Sequence, residues 1–289
     1  MENVGAVTWG NGISGSSGAV ANANSLVGTQ KNDSVGSGGV TALANGHYVV
    51  RSPNWDLATV PDAGAVTWGN GYSGSSGPIS TSNSLHGSQS MDMVGSGGII
   101  KLTNGHFVVL SPSWKKGGLA SAGAISWGNG TKRLSGPVSA MNSLVGSSAY
   151  DMLGNRGGTA LPNGSYVVCS PNWDNGTKAN AGAVTWANGS HGTSGTISTT
   201  NSLHGLMEND QIGTSVTALN DGNYLVRSRY WLNGSLIHAG AITLGDGEIG
   251  RVGWIEENFS VAGRANYSGS KMVVAQDTLN RRLVVGDPN

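Results

Sequence analysis

Short apolar runs punctuated by Gly, Asn and Ser dominate the pattern along this chain, and the 3.6-residue period of an amphipathic helix appears nowhere. Residues 40–43 (VTAL) are apolar, Asn45-Gly46 is the dipeptide that favours a type I′ turn, and residues 48–52 (YVVRS) are β-branched and aromatic. Together they predict a β-hairpin. The pattern returns at 99–111 around Asn104-Gly105, at 159–170 around Asn163-Gly164 and at 216–228 around Asp221-Gly222. Each hairpin leads into a loop such as Ser52-Pro53-Asn54-Trp55-Asp56, whose proline ends the second strand. A third strand follows in the octet GAVTWGNG. After a Gly/Ser-rich connection the segment 79–87, ending NSLHG, predicts a fourth.

The octet sets the period. It stands at 5–12, 64–71, 123–130, 182–189 and, worn to GAITLGDG, at 240–247, with spacings of 59, 59, 59 and 58 residues. Self-similarity at this length signals stacked or radially arranged units, so the 289 residues predict one architecture built from copies. Four sequential antiparallel strands per unit are what a propeller blade requires. The chain opens on strand three (5–12) and strand four (25–28) of a unit and finishes on a lone hairpin, 271–277 and 282–287 around Leu279-Asn280. These half-units complement each other. The prediction is an all-β, five-bladed β-propeller of four-stranded antiparallel blades, in one domain over 1–289. Four blades fall at about 40–87, 99–146, 158–205 and 215–263. The fifth joins 271–289 with 4–28, N-terminal strands three and four pairing with C-terminal strands one and two to close the ring. A right-handed β-helix, with coils of about 20 residues, is the competing fold. It has no need of complementary half-units.

Charge narrows the ligand. Lys plus Arg balance Asp plus Glu at 16 each, and charged residues make up only 11%, so no field favours nucleic acid, an anionic membrane or an acidic partner. A neutral, polar ligand fits better. Although 48 glycines could suggest disorder, nine Trp and regular apolar stretches oppose it. Cys169, the single cysteine, excludes an internal disulfide and reads as a small strand residue. No run approaches the roughly 18 apolar residues of a membrane helix, and the opening Met1-Glu-Asn-Val-Gly has no basic or apolar leader segment. Membrane insertion is not expected. A piece of a larger exported protein would read the same way.

The phrases GAVTWGNG, SGxVSxxNSLVGS and VGSGGVTALANGxYVVRSPNWD resemble a repeat found in large secreted bacterial proteins of the filamentous-haemagglutinin-like, adhesin type. The resemblance covers residues 5 to about 245 in four copies, with the fifth degenerate. It implies bacterial origin and an extracellular or cell-surface setting, and it nominates no catalytic residue. A closed five-bladed ring of this size is also similar in architecture to propeller lectins of the tachylectin-2 type, a likeness of fold alone.

Strand alternation brings two repeated sets to one face. The first is the loop Trp series, Trp55, Trp114, Trp173 and Trp231, with Asn54 and Asn172 before and Asp56 and Asp174 after. The second is Asp33, Asp92, Asp151 and Asp210, each just ahead of a Gly-rich connection. A Trp face beside Asp and Asn acceptors is the chemistry a neutral sugar asks for, so these residues are the candidate glycan contacts of a multivalent lectin. The alternative is a structural repeat of an adhesin, in which the Asp residues brace turns through their own backbone. The octet series Trp9, Trp68, Trp127 and Trp186 lies within a strand and is expected to pack between blades. The Asn of NSL, at Asn24, Asn83, Asn142 and Asn201, reads as a turn residue.

A glycosidase needs two unlike carboxylates facing one bond, which means breaking the repeat symmetry at the site. The innermost strands hold no acid, and Glu248, Glu256 and Glu257 gather in the degenerate unit. Adjacent glutamates on a strand face opposite sides, so Glu256 and Glu257 cannot pair there. No catalytic residue, cofactor or metal set is nominated, and none of the six histidines shows ligand spacing. His47 and His106, after the hairpin turns, are expected to be solvated.

Overall fold

The computed structural model describes residues 2–256, 258–277 and 282–287. Glu257 and the Leu279-Asn280 turn lie outside the described residues. Five repeats and six sheets make the chain all-β, and the one helical element among the described residues is the 3₁₀ turn Ser268–Ser270.

Four full units follow one another. Unit I has strands Gly39–Ala42, Tyr48–Ser52, Ala65–Gly69 and Ser84–His86, paired antiparallel in that order. Unit II has Gly98–Lys101, Phe107–Ser111, Ala124–Gly128 and Ser143–Val145. Unit III has Gly158–Ala160, Tyr166–Ser170, Ala183–Ala187 and Leu203–His204. Unit IV has Ser215–Ala218, Tyr224–Ser228, Ala241–Gly245 and Ser260–Ala262. The chemistry of strands three and four recurs as well. Thr67 and Ser84 share a buried hydroxyl pair at 2.6 Å, as do Ser126 and Ser143 at 2.6 Å and Thr185 and Ser202 at 2.7 Å. These are the Thr or Ser of the octet and the Ser of NSL, polar groups that satisfy each other inside the sheet.

Strand four is shorter than the segment 79–87, and the chain ahead of it does something the alternation did not foretell. Gly77–Pro78 pairs in parallel with Ser25–Val27 of the preceding half-unit, Gly136–Pro137 with strand four of unit I, Gly195–Thr196 with that of unit II and Gly253–Trp254 with that of unit III. Each short strand opens on a glycine with φ near +100°, which turns the chain toward the neighbouring unit. The amide after it then completes the link, as Val138 N–H donates to His86 O at 2.9 Å.

The core lies between units. Strands two and three are almost wholly buried, and their side chains cluster across each junction: Val49, Val66 and Leu85 with Phe107 and Val109, then Val108, Ile125 and Leu144 with Tyr166 and Val168, then Leu161, Val167 and Val184 with Tyr224 and Val226. The half-units continue this stacking at both ends. Leu26 of Ser25–Val27 packs on Tyr48 and Val50, while Leu283 and Val285 of the hairpin Val273–Asp277 and Arg282–Gly286 pack with Met272 on Leu219, Leu225 and Ile242. Among the described residues, Ala6–Thr8 pairs with Ser25–Val27 and no pairing joins it to the C-terminal hairpin.

Candidate functional site

The four aspartates are the most uniform feature of the repeat. Asp33, Asp92, Asp151 and Asp210 are each 0% exposed. In Asp92, Oδ2 accepts the N–H groups of Ser88 and Gln89, both at 2.9 Å, and Oδ1 accepts that of Lys115 at 3.0 Å. Asp33 does the same with Thr29, Gln30 and Asp56, Asp151 with Ser147, Ser148 and Asp174, and Asp210 with Leu206, Met207 and Leu232. Each carboxylate thus ties the connection between units to the loop after the Trp. With 0% exposure and three amides held by each carboxylate, these four side chains brace the backbone, and the expected ligand role gives way to that one. Burial pushes Asp92, Asp151 and Asp210 above the usual carboxylate range, against the opposing pull of the amide N–H groups.

The loop tryptophans divide. Trp55, Trp114 and Trp173 are 4%, 5% and 3% exposed, so their rings are core and not sugar platforms. Polar side chains close over two of these loops: Gln30 Nε2 donates to Asp56 O at 3.0 Å and Gln89 Nε2 to Lys115 O at 3.2 Å. In the third, Trp173 Nε1 donates to Ser147 Oγ at 2.9 Å. Their polar neighbours are half-buried and bonded within the same loop. Asp56 accepts the N–H of Asp62 at 2.8 Å and Asp174 that of Asn180 at 2.9 Å, while Asn54 donates to Asp62 at 3.0 Å and Asn172 to Asn180 at 3.3 Å.

The octet tryptophans pack between units, as their strand position implies. Trp9, Trp68, Trp127 and Trp186 each donate Nε1–H to the carbonyl closing the next octet, at Gly71, Gly130, Gly189 and Gly247, over 2.8–3.0 Å. Hairpin residues Asn45, Asn104 and Asn163 donate to the same carbonyls at Gly130, Gly189 and Gly247, over 2.7–2.9 Å. Only glycine fits there, since a Cβ on Gly130 would overlap Gly105 O. The hairpin histidines are half-buried rather than fully solvated, and they serve this lock. His47 Nδ1 accepts Gly71 N–H at 3.2 Å beside Trp68, and His106 Nδ1 accepts Gly130 N–H at 3.1 Å beside Trp127. Burial lowers the His106 pKa. The NSL asparagines close their turns, as Asn83 does by accepting Ser80 N–H and donating to Pro78 O.

Unit IV departs from this order. Leu206 and Met207, 49% and 50% exposed, stand where Ser88 and Gln89 stand in the earlier unit, and Trp231 is left half-buried. Opposite it lies Trp254, 52% exposed, at the position that holds Pro78, Pro137 and Thr196 elsewhere. His204, Leu206, Met207, Trp231, Trp254 and Ile255 line a cavity of about 320 Å³. Trp254 belongs to neither Trp series. Its one signal was that it is the ninth Trp and does not recur.

Among the described residues no three His, Cys, Asp or Glu side chains converge as a metal set, and no helix is long and apolar enough to cross a membrane. Cys169 is buried with its thiol pushed up to about 12, which leaves it unreactive in the folded chain.

A family model described as a repeat of unknown function (DUF5650) matches five successive segments, 1–37, 42–96, 101–155, 160–214 and 218–270. No curated protein matches the chain.

Proposed function

The chain belongs to the family of DUF5650 repeats, and from that premise we propose a non-catalytic, repeat-built scaffold that binds a glycan in its fourth unit, at the Trp231–Trp254 cleft. The observation that carries this reading is the exposed indole of Trp254, facing Trp231 across about 320 Å³, within the size range of small-molecule sites. An indole face takes the CH side of a sugar ring, and the 52% exposed Trp254 leaves such a face open. The resemblance to adhesin repeats extends the proposal to a secreted or surface setting. A glycan array probed with wild type, Trp254→Ala and Trp173→Ala tests it. Binding lost in Trp254→Ala and kept in folded Trp173→Ala supports the cleft, whereas equal binding by Trp254→Ala removes it.

Burial of Asp33, Asp92, Asp151 and Asp210 and of three loop Trp favours a second reading, a scaffold with no glycan ligand. A blank array for wild type decides for it.

The finer architecture is part of the proposal: a five-bladed ring closed where Arg282–Gly286 meets Ala6–Thr8. Its support is that each half-unit stacks on its neighbour as a full unit does, and that each holds the strands the other lacks. Small-angle X-ray scattering separates a closed disc from an open arc.

A further inference from the structure

Four positions of the repeat change together between units III and IV. Pro171, Asn172, Asn180 and Asn209 have as counterparts Arg229, Tyr230, His238 and Tyr267. In unit III the three amides form a chain, Asn172 to Asn180 and Asn180 to Asn209, each at 3.3 Å. In unit IV the same backbone positions carry rings. Tyr230 and His238 meet edge to face at 5.2 Å and 77°, and His238 and Tyr267 at 5.6 Å and 78°. Arg229 lies over Tyr230, its guanidinium carbon 5.5 Å from the ring centroid. These four residues and Ser270 enclose an open cavity of about 210 Å³.

The frame beneath is rigid. His238 and Tyr267 hold left-handed backbone, φ 50° and 64°, a conformation that disfavours a bulky Tyr and persists only when the surroundings impose it. Here Tyr267 N–H donates to Ile237 O at 2.8 Å and Gly269 N–H to His238 O at 3.1 Å. Arg227 binds the carbonyls of Gly269, Ser270 and Met272 from the other side. The rings are therefore presented before any ligand arrives, and Tyr267 remains 57% exposed.

Rings alone would suit a cation as well as a sugar, but the guanidinium repels a cation. Among the described residues no carboxylate stands at ion-pair distance from Arg229. A weakly hydrated planar guanidinium held by an aromatic face presents its N–H fork to an oxyanion. We propose that this cavity binds a sugar bearing an acidic group, a uronic acid or a sulfated hexose, its ring against Tyr267 and its oxyanion on Arg229. The site is separate from the Trp231–Trp254 cleft and does not rest on it.

The test is calorimetric or NMR titration with glucuronate, glucose 6-sulfate and glucose. The variant Tyr230→Asn/His238→Asn/Tyr267→Asn restores the amide chain of unit III and so keeps the fold. Wild type is expected to prefer an acidic sugar over glucose by about tenfold, the value of one charge-assisted contact. Arg229→Gln should lose that preference, and the triple variant should lose binding. Trp254→Ala should bind acidic sugars as wild type does, which separates this site from the cleft. Preference for carboxylate alone or sulfate alone names the source of the acid group and still supports the site. Equal binding of glucose and both acidic sugars, no binding by wild type, or undiminished binding by the folded triple variant overturns it.

Discussion

The junction between units II and III and the junction beyond unit IV come from the same repeat, yet only the first is locked. Trp127 and Asn104 converge on Gly189 O, both at 2.9 Å. Leu244 and Asp221 hold those positions in unit IV, and neither side chain carries an N–H to offer there. A cavity of about 250 Å³ opens between them and Gln276 and Arg282 of the hairpin. Unit IV also exchanges the amide chain for rings and opens its loop Trp. Residues that repeat join units, and the surface becomes chemically distinct where the repetition stops.

The sharpest attack on this contrast is Asp151→Ala, which orphans three buried amides and is expected to cost about 3–5 kcal/mol in urea unfolding. A loss under about 1 kcal/mol would mean the buried carboxylate does not brace the loop. Next comes the lock itself. Trp127→Leu imports the unit IV residue into a locked junction and should cost about 2–3 kcal/mol. Leu244→Trp, at a position that borders the cavity beside Gln276 and Arg282, should stay within about 0.5 kcal/mol. Equal effects would erase the difference between the junctions.

A smaller effect is pH-dependent. His106 titrates below its ordinary value when folded, so the unfolded chain binds the proton first. Stability is full above the unfolded value of about 6.5, declines as pH falls through it and levels off below the lowered folded value. His106→Asn, which copies the Asn223 that accepts Gly247 N–H at 3.1 Å, should flatten that part of the profile. A profile identical to wild type would detach His106 from the lock. The least effect belongs to Cys169, which should resist a thiol reagent until denaturant unfolds unit III, because its thiol is buried and pushed up to about 12. Prompt labelling in buffer would place it at the surface.

Much of the fold was legible because period-2 strands and Asn-Gly turns are local signals. The hairpins around Asn45-Gly46, Asn104-Gly105 and Asn163-Gly164 form where the alternation put them. Gly136–Pro137 was not legible, since its partner is strand four of the preceding unit and two residues carry no periodicity. The candidate site was read less well for a related reason. A repeated Trp or Asp in a Gly-rich loop looks the same in sequence whether it faces solvent or a neighbouring unit. What distinguishes them is the residue packed above: Gln89 over the loop of Trp114, Met207 beside Trp231. Trp254 and Arg229 carry no repeat-based signal of a site because neither recurs, and Tyr267, matched by Tyr150 in an earlier unit, gains its setting from Tyr230 and His238, which do not.

Hydrogen exchange with and without a mixture of glucose, galactose, mannose and glucuronate tests most directly whether binding belongs to unit IV and its border with unit III. Slowed exchange confined to 204–207, 229–238, 253–255 and 267–270 is the predicted result. Equal slowing in the loops around Trp55, Trp114 and Trp173 would contradict it, because it would return ligand contact to residues that repeat.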